Sequence, residues 1–468
     1  MHFTDKNQAE DLQIAYIGGG SRGWAWGFMA DIAMDEQLQG TVRLYDIDRS
    51  AAERNQIIGE KISVHPDAKS RWAYEVSGSL AEALTGADFV IISILPGTFE
   101  EMRSDVHAPE QFGIWQSVGD TTGPGGFMRA MRTVPMFVEI AQAIRDFAPD
   151  AWVINYTNPM SLCVRTLYEV FPQIKAFGCC HEVFGTQKLL CSMLEKNGIP
   201  GVKRQELYTT VTGINHFTWL TSASYGSMDL MPMYRAFAEE YYEDGFHEGR
   251  DDNWMNNFFD CAHRVKFDLF LKFGAIAAAG DRHLAEFMPH SWYLKDPETV
   301  KRWKFTLTPV DWRVEDLKNR YQRSDDLISG KEAVTLSGSG EEGHLLLKAL
   351  LGLGDLVSNV NVPNRGQIPN LPAGAVVETN ALFGRDRIQP VYAGPMPSSL
   401  LPMMARHIYN QENTLRTALT CDRSLGLTTF LNDPQMEISP EDGRKLFEQM
   451  LEAQRKYLPE GWFLDSSV

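Results

Sequence analysis

Short apolar runs alternate with longer stretches of helical character over the first 200 residues of the chain. The clearest run, 89–94, reads Phe-Val-Ile-Ile-Ser-Ile, and its β-branched residues are typical of a buried strand. The predicted strands are 12–17, 42–45, 71–76, 89–94, 152–156 and 174–179, and the predicted helices are 23–37, 128–147 and 159–171. Strands that alternate with helices in this way predict an α/β fold with a parallel sheet.

The pattern changes after about residue 200. Aromatic residues become dense between 241 and 259, and clean strand patterns become few. We therefore predict a second, α-rich lobe that closes over whatever the first lobe binds. The predicted domains are 1–200 for the sheet and 201–468 for the mixed, mainly helical part.

Composition and charge narrow the class of protein. Hydrophobic residues make up 44% and charged residues 22%, which is ordinary for a packed globular chain. The net charge of -17 argues against nucleic acid as a partner. No signal peptide is visible, and the longest apolar run is too short to cross a bilayer. Six cysteines in 468 residues do not form a disulfide framework. These features predict a cytoplasmic protein with no membrane partner.

A glycine fingerprint lies between the first predicted strand and the first predicted helix. The pattern G-x-G-x-x-G is met by Gly18, Gly20 and Gly23. Such glycines allow a tight turn and let the backbone approach the pyrophosphate of a dinucleotide at a helix N-terminus. Asp46 ends the second strand and could accept hydrogen bonds from ribose hydroxyls, which favours NAD. Arg22 and Arg49 leave NADP open.

Five polar segments downstream are candidates for the chemistry. They are 119–126, 155–159, 179–182, 213–216 and 280–283. The segments 155–159 and 179–182 follow predicted strands, and ligands of open α/β sheets collect at the carboxyl ends of strands. Asp120 in the first segment could grip a polyol. Read singly, each segment could also be an ordinary loop, an Asn-Pro turn, a buried cysteine or a satisfied core histidine.

Two of these segments offer ligands for a metal ion. A thiolate from Cys180 and an imidazole from His216 suit a divalent transition metal, although the sequence does not show that they meet. In the last segment Asp281 or His283 could act as a base, and Arg282 could clamp an anion.

Taken in order, the segments resemble glycoside hydrolase family 4, the NAD- and metal-dependent glycosidases. The matching residues are 18–21, 119–126, 155–159, 180–183, 213–216, 361–366 and 376–378. They run from about residue 14 to about 390 and so cover most of the chain. The resemblance implies a Rossmann-type, lactate/malate-dehydrogenase-like N-terminal domain and an α-rich C-terminal domain that binds substrate and metal. It also implies a homo-oligomer, a dimer or a tetramer.

The resemblance also implies roles for individual residues. Cofactor binding falls to Gly18, Gly20, Ser21, Gly23 and Asp46. Mn²⁺, or Co²⁺ or Ni²⁺ in its place, is held by Cys180 and His216. Asn158 contacts the sugar near the nicotinamide, and His181 acts as an acid for the leaving group. The base is either Asp281 or His283, and both stay open.

The motif at 180–183, Cys-His-Glu-Val, resembles the uronic-acid subgroup of the family. Members that act on 6-phospho sugars usually carry Asp or Asn where this chain has His181. The resemblance therefore implies an α-galacturonide substrate first and an α-glucuronide next, with another α-glycoside as the alternative. The residue that pairs with the uronate carboxylate is open between Arg282, Arg264 and Arg129.

The chemistry implied is a redox-assisted elimination, an exception to the usual carboxylate pair of glycosidases. NAD⁺ removes a hydride from C3 of the sugar, a base removes the C2 proton, and the aglycone leaves. Water then adds and the hydride returns, so there is no net oxidation. A metal-free hydroxyacid or sugar dehydrogenase and a non-catalytic NAD sensor are the competing interpretations. The ordered pair Cys180 and His216 favours the glycosidase, since neither alternative needs it.

Overall fold

A ten-stranded mixed sheet runs through the molecule, and a smaller four-stranded sheet packs beside it. The computed structural model describes residues 1–5, 7–247 and 261–464. The strands are β1 (His2–Phe3), β2 (Ala9–Ile17), β3 (Leu38–Tyr45), β4 (Trp72–Val76), β5 (Phe89–Ile92), β6 (Trp152–Asn155), β7 (Lys175–Gly178), β8 (Leu207–Ile214), β9 (Phe217–Tyr225), β10 (Met228–Asp229), β11 (Ile276–Ala277), β12 (Leu356–Pro363), β13 (Val376–Gly384) and β14 (Arg387–Pro390).

Helices cover both faces of the large sheet and form most of the remaining described chain. They are α1 (Trp24–Ala33), α2 (Arg49–Ser63), α3 (Leu80–Leu84), α4 (Phe99–His107), α5 (Gly123–Phe147), α6 (Met160–Val170), α7 (Glu182–Lys196), α8 (Met231–Glu240), α9 (Arg264–Phe273), α10 (Asp281–Glu286), α11 (His290–Tyr293), α12 (Pro297–Arg302), α13 (Val310–Ser329), α14 (Gly343–Leu351), α15 (Leu401–Thr420), α16 (Arg423–Leu431) and α17 (Pro440–Ala453). Among the described helices, none combines the length and the apolarity that a bilayer span requires.

The parallel part of the sheet has the order of a dinucleotide-binding fold. Its strands lie in the order β4-β3-β2-β5-β6-β7, and every neighbouring pair is parallel. This is the 3-2-1-4-5-6 order of a Rossmann sheet, with its topological switch point between β2 and β5. The predicted Rossmann-type fold is confirmed.

Alternate residues of the central strand face the two helical layers. Ile14 lies in one buried cluster with Ile32 of α1, whereas Ala15 lies in a second cluster with Phe137 of α5. Both faces of this part of β2 are therefore buried. The neighbouring strand β5 is buried at all four of its positions and is a continuous apolar run in the sequence.

The expectation of few strands after residue 200 is wrong. Seven strands, β8 to β14, belong to the described part of that region, although helices still dominate it. β12 shows why they were missed, because its buried positions include Ser358, Asn359 and Asn361. Buried polar residues remove the apolar run by which a strand is recognised.

Three of these later strands extend the Rossmann sheet. β12 joins β7 in an antiparallel pairing at Asn361 and Gly178, and β13 and β14 follow on its far side. The large sheet thus contains strands from both sides of residue 200. The boundary at that residue stays a prediction, and residues 248–260 of the predicted helical lobe lie outside the described residues.

Candidate functional site

The glycine loop connects β2 to α1 at the switch point of the sheet. Gly18 has φ +91°, and a Cβ there would overlap the carbonyl oxygen of Ser93. A Cβ on Gly20 would lie 2.6 Å from the Cβ of Ala51. Both positions therefore require glycine, as a backbone that receives a pyrophosphate does.

Asp46 lies directly beside this loop. Its carboxylate accepts hydrogen bonds from the backbone N–H groups of Gly20, at 2.8 Å, and Asp48, at 2.9 Å. Burial raises the pKa of Asp46, and these two hydrogen bonds oppose the shift. The carboxylate is thus fixed at the edge of the loop, the position from which such an acid binds ribose.

Asn55 of α2 holds the glycine loop by hydrogen bonds to its backbone. The sequence analysis did not identify this residue. Its amide donates to the carbonyl oxygens of Gly19, at 2.7 Å, and Ser21, at 2.9 Å, and it accepts from the indole of Trp26 at 2.7 Å. The signal was available, because Asn55 lies at helical spacing between the buried Ala51 and Ile58.

A cavity of about 590 Å³ opens next to the N-terminus of α1. Its walls include Gly23, Trp24, Phe28, Ser93, Tyr156, His181, Phe184 and Glu341. The cavity places His181 and the end of the glycine loop on one surface. It has the size and the mixed lining of a small-molecule site.

Three side chains from distant segments converge into a ligand set. Asp120, His216 and His283 each offer an atom within 4.8 Å of the others. His216 lies in the two-residue turn between β8 and β9 with φ +64°, and its ring lies against that of His283, with 3.8 Å between centroids and an angle of 34° between the planes. We refer to these three residues as the Asp-His-His triplet.

The charge states of the triplet suit a divalent cation. Burial, together with the charge that His283 would carry, lowers the pKa of His216 to about 3. Burial would raise the pKa of Asp120, but Arg129 and the two histidines outweigh it and bring it to about 2. A neutral imidazole and an ionised carboxylate are the forms that bind metals.

Cys180 lies outside the triplet, at the end of β7. It is buried, and its backbone carbonyl accepts a hydrogen bond from Asn359 at 3.1 Å. Burial raises the pKa of Cys180 well above its usual value, and the nearby Glu378 and Glu182 raise it further. A bound cation would reverse that shift, and the pairing of Cys180 with His216 stays a prediction.

Asn158 presents an unsatisfied acceptor near the triplet. Its side-chain oxygen is buried and has no hydrogen-bond partner within the described residues. Its backbone carbonyl accepts from Nε of Arg129 at 3.1 Å. A buried acceptor of this kind is costly unless a ligand hydroxyl satisfies it.

The structure gives Arg282 a structural position. Its guanidinium donates to the carbonyl oxygens of Ser117, at 2.5 Å, and Thr306, at 3.1 Å, and to the hydroxyl of Thr308 at 3.0 Å. Arg264 is held similarly, by the carbonyls of Tyr242 and Arg302. These contacts disfavour both arginines as the group that binds a substrate carboxylate.

Glu286 completes a clamp on the loop that carries Asp120. Its carboxylate accepts from the backbone N–H groups of Val118, at 2.8 Å, and Gly119, at 2.9 Å. Helix α10 thus holds this loop through Arg282 at one end and Glu286 at the other. Sequence reasoning missed Glu286, since nothing in its surroundings distinguishes it from a surface glutamate.

Of the two candidate bases, the geometry favours His283. Asp281 is completely buried, and its carboxylate accepts from the backbone N–H groups of Val265 and Lys266, both at 3.1 Å. His283 belongs to the triplet, and its Nε2 lies 3.7 Å from the carboxylate of Glu182. Burial lowers the pKa of His283, so its ring is neutral and able to accept a proton.

His181 has the environment of an acid. Its side chain is 51% exposed at the cavity wall, and its Nδ1 lies 2.8 Å from the carboxylate of Glu341. That hydrogen bond raises the pKa of His181. The protonated ring is therefore favoured on the surface where a substrate would enter.

Comparison with known proteins agrees with this arrangement. The chain matches the models for a family 4 glycosyl hydrolase over residues 13–196 and for the C-terminal domain of that family over 211–436. It is 60% identical, over 99% of both chains, to an α-galacturonidase of Thermoanaerobacterium saccharolyticum.

Solved structures show the same fold. A putative glucosidase from Bacillus subtilis superposes with a TM-score of 0.90 at 52% identity, over 95% of this chain and 100% of that one. A 6-phospho-α-glucosidase from gut microorganisms, solved with NAD and Mn²⁺, has a TM-score of 0.78 at 19% identity, over 97% and 99%. With the family's models and a relative of this identity both matched along the chain, the protein belongs to glycoside hydrolase family 4.

Proposed function

We propose that this enzyme hydrolyses α-linked galacturonides, with α-glucuronides as its second class of substrate. The observation that carries the proposal is the set formed by His181, Asn158 and the Asp-His-His triplet in a chain 60% identical to an α-galacturonidase. His181 supplies an acid, His283 a base and Asn158 an acceptor for a sugar hydroxyl. Asp120 and His216 supply metal ligands.

The residues present fit NAD and Mn²⁺. Gly18 and Gly20 leave no room for a side chain, so the loop backbone itself can approach a pyrophosphate, and Asp46 lies beside the loop. Asp120 and His216, with Cys180 close to the end of β7 as the predicted thiolate, offer ligands for Mn²⁺. When bound, NAD accepts and returns a hydride at C3, and the metal ion polarises the sugar oxygens as a Lewis acid.

The protein's own side chains then move the protons. His283, neutral in its buried position, removes the proton from C2 of the sugar. His181, whose pKa is raised by the hydrogen bond with Glu341, donates a proton to the glycosidic oxygen as the aglycone leaves. Asn158 accepts from a sugar hydroxyl through its unsatisfied side-chain oxygen and so orients the ring.

Arg129 is the residue we propose for the uronate carboxylate. It is 7% exposed, and within the described residues its guanidinium makes a hydrogen bond only through Nε, to the backbone carbonyl of Asn158. Its charge also acts on Asp120, so it lies at the triplet. The terminal nitrogens of a guanidinium anchored in this way can bind a carboxylate in bidentate fashion.

Hydrolysis of 4-nitrophenyl α-galacturonide and α-glucuronide tests the proposal. The assay contains NAD⁺, Mn²⁺ and a reducing thiol, each omitted in turn, and is repeated in D₂O. We expect cleavage that needs all three additions, deuterium at C2 of the product and a preference for the galacturonide. NADH that accumulates in proportion to substrate without release of aglycone would show a dehydrogenase instead.

We further propose that the enzyme works in the cytoplasm as a homo-oligomer of two or four chains. The absence of disulfides among its cysteines, within the described residues, agrees with a reducing compartment. Size-exclusion chromatography with light scattering measures the number of chains, and a monomer at working concentration would contradict the proposal.

A further inference from the structure

A second group of metal-binding residue types lies where α9 and α10 begin. Cys261, His263 and Asp281 each offer an atom within 4.8 Å of the others, and Sγ of Cys261 lies 3.9 Å from Nδ1 of His263. Nothing in the proposed reaction uses these three residues. We refer to them as the Cys-His-Asp cluster.

The cluster is separate from the Asp-His-His triplet. Asp281 and His283 are two residues apart in α10, and successive helical residues project about 100° from each other. Their side chains therefore leave the helix about 200° apart, on opposite faces. His283 faces Asp120 and His216, while Asp281 faces the start of α9.

The spacing of the donor atoms suits a tetrahedral ion. Zn–S and Zn–N bonds of about 2.3 and 2.05 Å, at a tetrahedral angle, place sulfur and nitrogen about 3.6 Å apart. The observed separation of 3.9 Å differs by a few tenths of an ångström. A thiolate, an imidazole and a carboxylate are each ligand types that zinc accepts.

The surrounding backbone holds these groups in place. The N–H groups of Val265 and Lys266 orient the carboxylate of Asp281, and each oxygen keeps a further lone pair. The sulfur of Cys261 faces the backbone N–H groups of Asp281 and His263. Hydrogen bonds to the ligands from the outside are what orient them in metal sites.

Capping of α9 by Asp281 explains only part of this arrangement. It accounts for the carboxylate, but a cap needs neither a thiol nor an imidazole beside it. Among the neighbouring cations, Lys266 donates to the hydroxyl of Thr186 at 2.9 Å, although its charge also acts on Asp281 and Cys261. Arg264 donates to backbone carbonyls and to Glu243. A divalent ion would balance one thiolate and one carboxylate.

We propose that Cys261, His263 and Asp281 bind a Zn²⁺ ion that ties the start of α9 to α10. Binding displaces the thiol proton of Cys261 to solvent and leaves one coordination position for water. Because α10 carries Arg282, His283 and Glu286, the ion stabilises the helix that holds the loop carrying Asp120.

Metal analysis of the full-length protein tests this site. The protein is stripped with a chelator and reloaded with Zn²⁺ in the wild type and in Cys261→Ser, His263→Gln and Cys421→Ser, the last being a matched control away from both clusters. We expect Cys261→Ser and His263→Gln each to hold one zinc ion fewer per chain than the wild type and Cys421→Ser. Equal zinc content in all four proteins would overturn the proposal.

Two further readouts separate this site from the triplet. In His216→Ala, which disables the triplet, Zn²⁺ should still raise the Tm, and this rise should vanish when His263→Gln is added. With Co²⁺ in place of zinc, the thiolate-to-metal absorption band should weaken in Cys261→Ser and persist in Cys421→Ser. A zinc-dependent Tm that survives His263→Gln in the His216→Ala background would exclude the cluster.

Discussion

At the scale of single residues, the glycine loop depends on a side chain outside it. Asn55 satisfies two loop carbonyls and the indole of Trp26 from a fully buried position. The loop therefore has the shape that a dinucleotide needs before any ligand arrives. This is preorganisation, and it contributes to affinity without a contact to the ligand.

Replacing Asn55 with alanine should weaken dinucleotide binding. The change leaves two buried carbonyls without a donor, which costs about 1–3 kcal/mol. We expect the Kd for NAD⁺ to rise about tenfold, corresponding to about 1.4 kcal/mol of that cost. Calorimetric titration measures it, with Asn197→Ala as the control, since Asn197 caps an exposed helix end by donating to Met193. Equal affinities would show that the loop holds its shape alone.

Arginines 129 and 282 should respond differently to the same substitution. Lysine keeps the charge but loses the planar fork. In Arg129→Lys we expect the KM for the galacturonide to rise about tenfold, the loss of about one charge-assisted hydrogen bond, with little change in Tm. In Arg282→Lys we expect a lower Tm instead, because buried contacts to Ser117, Thr306 and Thr308 are lost.

A higher KM in Arg282→Lys and a lower Tm in Arg129→Lys would instead indicate that Arg282 binds the carboxylate. Activity on the neutral 4-nitrophenyl α-galactoside is the control, because a residue that reads only the carboxylate leaves this activity unchanged. A fall in both activities would show that Arg129 acts on the sugar ring or on Asp120 rather than on the carboxylate.

Residues near one another in the sequence were predictable, and those that meet only in space were not. The glycine loop and Asp46 follow from spacing along one βαβ unit. The triplet draws on residues 120, 216 and 283, and the sequence indicated each as a candidate without showing that they meet. The structural position of Arg282 depends on residues 117 and 308, and no local pattern reports such a contact.

At the scale of elements, α10 is the part that connects the fold to the site. Its six residues include Asp281 of the Cys-His-Asp cluster and His283 of the triplet. They also include Arg282 and Glu286, which hold the loop that carries Asp120. A short helix is a suitable carrier, because its faces are fixed relative to each other. Displacing α10 would alter all of these contacts together.

Glu286 should make stability depend on pH. Burial raises its pKa from 4.5 to about 8. Between these values the folded protein keeps a proton that the unfolded chain has lost, so stability is full below 4.5 and falls as pH rises to about 8. In Glu286→Gln, we expect this contribution to the slope of the unfolding free energy against pH, up to about 1.4 kcal/mol per pH unit, to disappear.

Urea unfolding across this pH range measures the effect, and Glu195→Gln on the exposed face of α7 is the matched control. We expect Glu195→Gln to follow the wild type and Glu286→Gln to be relatively more stable at the alkaline end. A slope that persists in Glu286→Gln would place the titrating group elsewhere.

The strands that the sequence predicted are those with a regular pattern of burial. The parallel strands β2, β5, β6 and β7 are mostly buried, whereas the edge strand β4 alternates regularly between buried and exposed positions. β12 is also buried, yet Asn359 donates to Glu378 at 2.6 Å and to the carbonyl of Cys180. A strand that carries a buried hydrogen-bond network toward the site reads as a polar loop, which is why the later strands were missed.

At the scale of the whole molecule, the Rossmann sheet is completed by distant sequence. The buried cluster on the α1 side of the sheet includes Leu327, Leu347, Val360 and Phe383 together with residues of α1, α2 and β2. The first 200 residues therefore do not contain all the side chains that bury their hydrophobic core.

A fragment of residues 1–200 should not fold by itself. Without α14, β12 and β13 it exposes the apolar residues of that cluster and the edge of β7. For the fragment we expect a broad thermal transition by circular dichroism and no measurable NAD⁺ binding, whereas the full chain should unfold cooperatively and bind NAD⁺. A cooperative transition in the fragment would show that the boundary at residue 200 separates independent domains.

The pairing of β7 with β12 also orders events during synthesis. A ribosome releases the glycine loop early, but the strand that covers β7 emerges only after all of 179–355 has been translated. Until then the nascent chain carries an open strand edge, the feature that invites aggregation and engages chaperones. The dinucleotide would therefore be acquired after translation, and production of active enzyme would depend on how well the cell protects that edge while the second half of the chain is made.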